Sequence, residues 1–94
     1  MKKITFTTEL LAGHKDHAVE VPFDPGKTWG LPAKPLWRGR KGHTVSGTLN
    51  RTSFQEGYIV PRAKKFFLLI DKDLQRDAQV KAGDSVKVSV AAKQ

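Results

Sequence analysis

Apolar and polar positions alternate along much of this chain, and the alternation predicts strands. Ile4, Phe6, Thr8 and Leu10 alternate with Thr5, Thr7 and Glu9, the period of a strand with one buried face. After a turn over Ala12-Gly13-His14-Lys15-Asp16, Val19, Val21 and Phe23 alternate with Glu20, so the two runs read as a hairpin. Pro22 cannot donate a ladder hydrogen bond and marks a strand end or edge. A third strand covers Thr44 to Asn50, with Gly47 marking a sharp bend or a close backbone approach. A weaker fourth runs from Phe54 to Val60, interrupted by Gly57 and stopped by Pro61.

From Lys65 to Asp71, Phe66, Leu68 and Ile70 face one way and Phe67 and Leu69 the other, so both faces of this strand are expected to be covered. The last strand is the clearest. In VKAGDSVKVSV, Gly83-Asp84 is a turn, and Val86, Val88 and Val90 alternate with Lys87 and Ser89. Between these two strands, Leu74 and Ala78 stand at i, i+4, and Asp71 is placed as the N-cap of a short helix with Asp73 in its first turn. Residues 24 to 42 carry too many prolines and glycines for a long helix or strand. Trp29, Leu31, Leu36 and Trp37 lie among them, so this segment is expected to pack back on the domain and to cover the second face of the Phe66–Ile70 strand. Six short strands and one short helix predict an all-β domain, and closure into a six-stranded barrel is the natural way to remove exposed edges.

A chain of 94 residues has room for one core, so residues 1–94 are expected to form a single domain. With no cysteine there is no disulfide framework, thiolate metal site or thiol nucleophile, which fits a reducing, cytoplasmic interior. The Met1–Gly13 stretch fails as a signal peptide because Thr5, Thr7, Thr8 and Glu9 break it, and no window has the ~20 apolar residues of a membrane span.

Four motifs occur in order, VSGTLN (Val45 to Asn50), Phe54 followed by YIVP (Tyr58 to Pro61), FFLLIDKDLQRDA (Phe66 to Ala78) and VKAGDSVKVSV, preceded by the early FTTELL and VPF stretches. Together they cover nearly the whole chain. This set resembles a bacterial and archaeal domain of unknown function that occurs alone and also fused at the N-terminal side of YdeI/OmpD-associated, bacteriocin-protection-type proteins. The resemblance implies a small closed six-stranded barrel, with no established catalytic residue and no cofactor. The chain departs from that family at two turns. Arg51 stands where the family usually has Gly, and Ala63-Lys64 stands where it often has Gly, so both turns gain positive charge.

The formal net charge is +8. Between Pro25 and Phe66 the only acid is Glu56, against Lys27, Lys34, Arg38, Arg40, Lys41, Arg51, Arg62, Lys64 and Lys65. Such a field favours anionic partners, nucleic acid among them. Trp29, Trp37, Arg38, Arg40, Lys41, Arg51, Arg62, Lys64 and Lys65 form the candidate binding set, because aromatics beside cations on a small barrel stack bases and hold phosphates. Against this, both tryptophans can be packing residues and the cations a wetted rim, and packing is the favoured reading for Trp37.

His14 and His17 flank Asp16, but with no third ligand cluster a solvated turn is the expected role, not a metal site. Asp71, Asp73 and Asp77 interleave with Lys72 and Arg76 and are read as capping and local ion pairing. His43 has no assignable partner for base chemistry, the serines lie in no nucleophile elbow, and Gly39-Arg40-Lys41-Gly42 lacks the spacing of a phosphate loop. The sequence thus predicts a binding or accessory module without metal or cofactor, and not an enzyme. Its partner is expected to be a polyanion or another protein.

Overall fold

The structure, a computed structural model, describes residues 3–13, 17–37 and 39–93. Seven strands and two short helices follow one another: β1 (Ile4–Leu11), β2 (His17–Val21), α1 (Pro25–Trp29), β3 (Lys34–Trp37), β4 (Arg40–Leu49), β5 (Thr52–Arg62), β6 (Lys65–Ile70), α2 (Lys72–Ala78) and β7 (Ser85–Ala92). Hydrogen bonding runs β3-β4-β5-β6-β2-β1-β7, and β7 pairs back onto β4. That last pairing closes β4, β5, β6, β2, β1 and β7 into a six-stranded antiparallel barrel, the expected architecture, and leaves β3 outside it as an added strand on β4.

The alternations land as predicted. Val86, Val88 and Val90 are buried, and β1 alternates half-buried with exposed residues up to Leu10. The register places Ile59 beside Leu68 and Leu68 beside Val19, all three fully buried in the interior. By the same register, Val60, Phe67 and Glu20 form the next row, on the outer face. The Gly83-Asp84 turn is tied down twice. The Asp84 carboxylate accepts from the Lys81 N–H at 2.9 Å; the Gly83 N–H donates to the Leu10 carbonyl, and the Leu10 N–H donates to the Asp84 carbonyl. Gly83 sits at φ +96, a conformation that L side chains rarely adopt.

Gly47 is a close approach, as expected. A Cβ there would collide with the Ser89 carbonyl oxygen on β7, and the β4–β5 register shifts between Val45 and Gly47. A strand bent in this way can turn from one neighbour toward the next, which barrel closure requires.

Several boundaries differ from the sequence reading. β5 runs through Gly57 and Pro61 without a break, and Pro61 pairs with Phe66. Pairing of β5 with β4 begins only at Ile59, so Pro61 lies on an open edge, where a missing N–H costs nothing. At Gly57 a Cβ would meet the Phe54 and Leu68 side chains, so this glycine makes room for packing and does not interrupt the strand. β4 starts at Arg40, not Thr44, and His17 belongs to β2, opposite Ile70. Phe23 lies beyond the end of β2, where it packs edge-to-face on Phe6 and on Trp29.

The irregular segment contains two elements. In α1, the Asp24 carboxylate accepts from the N–H groups of Gly26 (2.9 Å) and Lys27 (3.3 Å), Pro25 fills the first turn, and Gly30 closes the helix in the left-handed conformation. β3 follows, paired through Pro35 opposite Lys41 and Trp37 opposite Arg40. His43 ties this segment down. Its Nε2 lies 2.8 Å from the Leu31 carbonyl, which can only accept, so Nε2 carries the proton. His43 is thus a structural strut with a partner the sequence did not show.

α2 is as expected. Asp71 caps it through the Leu74 N–H at 2.8 Å, and Leu74 and Ala78 pack against the core.

Candidate functional site

The two tryptophans part company. Trp29, held on α1, is 8% exposed and belongs to the core cluster, so its ring fills the barrel and offers no stacking face to solvent. Trp37, on β3, is 44% exposed. Core burial thus goes to Trp29 on α1, while Trp37 on β3 packs on one side and is open on the other. The Trp37 ring meets Tyr58 edge-on, with centroids 5.1 Å apart and planes at 90°. Tyr58 in turn donates a hydrogen bond to Glu56 at 3.2 Å. Desolvation, then the Glu56 charge and that hydrogen bond, hold the Tyr58 phenol above its ordinary pKa of 10.0.

Trp37 overhangs the outer face of β5, β6 and β2. Beneath it lies a cleft of about 420 Å³. Its floor is apolar, made by Ala18, Val60, Phe67 and Leu69. Val60 faces outward by register yet is only 2% exposed, so this part of the outer face is covered. The second face of β6 is covered only in part: Phe67 and Leu69 are half-buried, bordered by Trp37 and not by Trp29, and remain open to the cleft. Leu11, at the end of β1, lines the cleft too, with Ala12 and Gly13. Leu11 and Trp37 are the exposed large hydrophobic residues of the described chain, and both border this one cleft.

Arg40 and Arg62 also line the cleft. They come from the first residue of β4 and the last of β5, twenty-two positions apart in sequence, and the antiparallel course of the two strands brings those ends together. Among the described residues neither guanidinium forms an ion pair, whereas Lys65 reaches Glu20 at 3.7 Å. Lys41 is exposed one residue along β4, and Lys64 is exposed in the β5–β6 turn at φ 66.

Arg51 does not join them. It sits in the β4–β5 turn, at the far end of the eleven-residue β5 from Arg62, roughly 30 Å away along the strand. There it borders a shallow polar hollow with Thr48, Asn50, Lys87 and Ser89. Arg38 lies outside the described residues, as do His14 and Asp16 of the His-x-x-His motif. Among the described residues no group of three or more His, Asp or Glu side chains could hold a metal ion. Asp73 and Asp77 both pair with Arg76, at 3.4 and 3.7 Å.

Sequence reasoning missed Leu11, Val60 and Tyr58 as parts of this site. Leu11 did leave a signal, because an apolar residue directly after Leu10 breaks the alternation of β1 at a position due to face solvent. Val60 and Tyr58 left none, since their surroundings depend on where β3 folds.

No helix among the described residues is long and apolar enough to cross a membrane. No curated protein matches the sequence. The family model described as Domain of unknown function (DUF1905) matches residues 6–90, which takes in all or most of each strand of the barrel, and the chain belongs to that family.

Proposed function

We propose that this protein is a binding module for anionic ligands, acting in the cytoplasm through the basic end of its barrel, and that it is not an enzyme. The observation that carries the reading is the convergence of Arg40 and Arg62, without ion pairs among the described residues, on an apolar-floored cleft rimmed by Trp37. An exposed aromatic beside unpaired guanidinium groups suits a ligand that combines a flat face with negative charge, as single-stranded nucleic acid does. Lys41 and Lys64 extend the positive field around the cleft.

The test is fluorescence anisotropy with a labelled single-stranded oligonucleotide at two salt concentrations. Binding is expected to weaken with salt, with a slope of about 0.7 for each phosphate held. Changing Arg40, Lys41, Arg62 and Lys64 together to Glu is expected to abolish it. Absence of binding at low salt, or binding untouched by the reversal, would retire the nucleic-acid form of this reading.

A protein-interaction module is the second reading. Leu11 (38% exposed) and Trp37 flank one cleft, and aromatic anchors are common in protein interfaces. The resemblance to a domain fused to YdeI/OmpD-associated proteins points the same way. Affinity carried by these apolar groups would depend little on salt, which separates the two readings.

A further inference from the structure

We propose that the cleft between Trp37 and Leu11 takes a small amphipathic anion: a flat aromatic body bearing one oxyanion, carboxylate or phosphate, which Arg40 and Arg62 hold together. This deepens the anion-binding reading and rests on it.

Size is the first argument. The cleft, about 420 Å³, falls in the range of small-molecule sites, ~300–1,000 Å³. The second argument is the distribution of polarity. Val60, Phe67 and Leu69 make a floor that gains by covering with an apolar face, while among the described residues the cationic groups on this cleft are two guanidiniums from separate strands. A bare phosphate would leave the floor wet, and a neutral hydrocarbon would bury against two cations without compensating them.

The third argument concerns two carboxylates among the described residues nearby, which already have partners. Glu20, in the outer row with Phe67, pairs with Lys65. Glu56, in an adjoining hollow of about 180 Å³ behind Trp37, receives Tyr58 and lies 3.8 Å from Lys93. The arginines are therefore left to meet an incoming oxyanion, and guanidinium binds one through directed, charge-assisted hydrogen bonds.

The chain has two tryptophans, and their indole N–H signals in a two-dimensional NMR titration of the intact protein give separate reporters. The probes are naphthoate, adenosine monophosphate, naphthalenemethanol as a neutral analogue, and inorganic phosphate. Naphthoate or the nucleotide is expected to saturate one site, moving the Trp37 signal while leaving that of buried Trp29. The tighter of the two identifies the source as an aryl carboxylate or a nucleotide. Arg40→Gln and Arg62→Gln are each expected to weaken it about tenfold or more, the scale of a charge-assisted hydrogen bond. The neutral analogue and free phosphate are expected to bind at least tenfold more weakly. Arg62 is exposed at a strand end, so Arg62→Gln decides the matter even if Arg40→Gln fails to fold.

Equal binding of the neutral analogue, or an unchanged affinity in Arg62→Gln, overturns the proposal. Phosphate binding as tightly as naphthoate, or oligonucleotide binding with no small-ligand binding, also overturns it while leaving the broader anion reading standing. If no anion of any kind binds, both fail.

Discussion

Ala63 and Lys64 show what a single residue contributes to this fold. They are the two central residues of the β5–β6 hairpin, with Arg62 paired to Lys65 around them, and both have positive φ, 51 and 66. A two-residue turn with both φ positive matches the twist of the strands but suits Asn-Gly, since a Cβ in the left-handed region costs about 1–2 kcal/mol per residue. Replacing the pair by Asn-Gly is expected to raise stability by about 1–2 kcal/mol, part of the relief being lost to a more flexible unfolded chain. A denaturant midpoint that stays put or falls would show that the turn is unstrained. Asn50 occupies the left-handed region alone at the β4–β5 turn, where its side-chain oxygen accepts from the Lys87 N–H at 2.9 Å, and Arg51 beside it does not share that conformation. A glycine is thus dispensable at 51, whereas at 63–64 the chain adopts the glycine geometry without the glycine.

Tyr58 carries the second prediction at this scale. Its folded pKa is raised above 10.0, so the phenol holds its proton more tightly in the native state than in the unfolded one. The resulting stabilisation is fully present below pH 10.0 and is lost as pH rises through the folded value. Wild type is therefore expected to lose stability above pH 10.0 more steeply than Tyr58→Phe. The chain has one tyrosine, so an ultraviolet phenolate titration of native and denatured protein reads the shift directly, and coincident curves would refute it.

At the scale of elements, short aspartate-led turns hold the strands in place. Asp24, Asp71 and Asp84 each accept a backbone N–H two or three residues away. Asp84 is the most consequential, because the turn it shapes also exchanges hydrogen bonds with Leu10, where β1 turns from β7 toward β2. Asp84→Ala is expected to cost about 1–2 kcal/mol, the scale of a lost turn hydrogen bond and an orphaned amide. Thermal melting should show it as about 4–8 °C for each kcal/mol in a domain of this size, and an unchanged curve would deny Asp84 that role. α1 obeys the same chemistry. Asp24-Pro25 at its start and Gly30 at its end are a helix-start and helix-stop pair legible in the sequence, but they were masked by the density of prolines and glycines around them.

At the scale of the whole molecule, closure sorts the charges. Strand ends alternate between the two ends of a barrel, so Arg40, Lys41, Arg62 and Lys64 gather at one end and Arg51 is carried to the other. α2, with Asp73 and Asp77 against Arg76, is connected at that second end, where acids and bases are mixed. The separation, roughly 30 Å along β5, is several times the ~8 Å screening length at physiological salt. In the anisotropy experiment, Arg51→Glu should therefore leave oligonucleotide binding nearly unchanged while Arg62→Glu weakens it. Equal effects would mean that the field acts through total charge and not through the cleft.

The chain's local pattern determined the six barrel strands, their inner faces and most of their turns, but not β3. Alternation dictates which side of a strand is buried, and Asp or Gly at a turn acts within a few residues, so Val86, Val88 and Val90, the Asp71 cap and the Gly83-Asp84 turn were all legible. Local pattern does not encode which strands meet. The return of β7 to β4, the split of Trp29 into the core from Trp37 onto the outer face, and the meeting of Arg40 with Arg62 all depend on contacts between residues far apart in sequence. Pro35 and Pro61 were misleading for the same reason. Proline is excluded only where its N–H would face a paired neighbour, and whether a strand has a neighbour on that side is settled by the closed sheet, not by the residues around the proline.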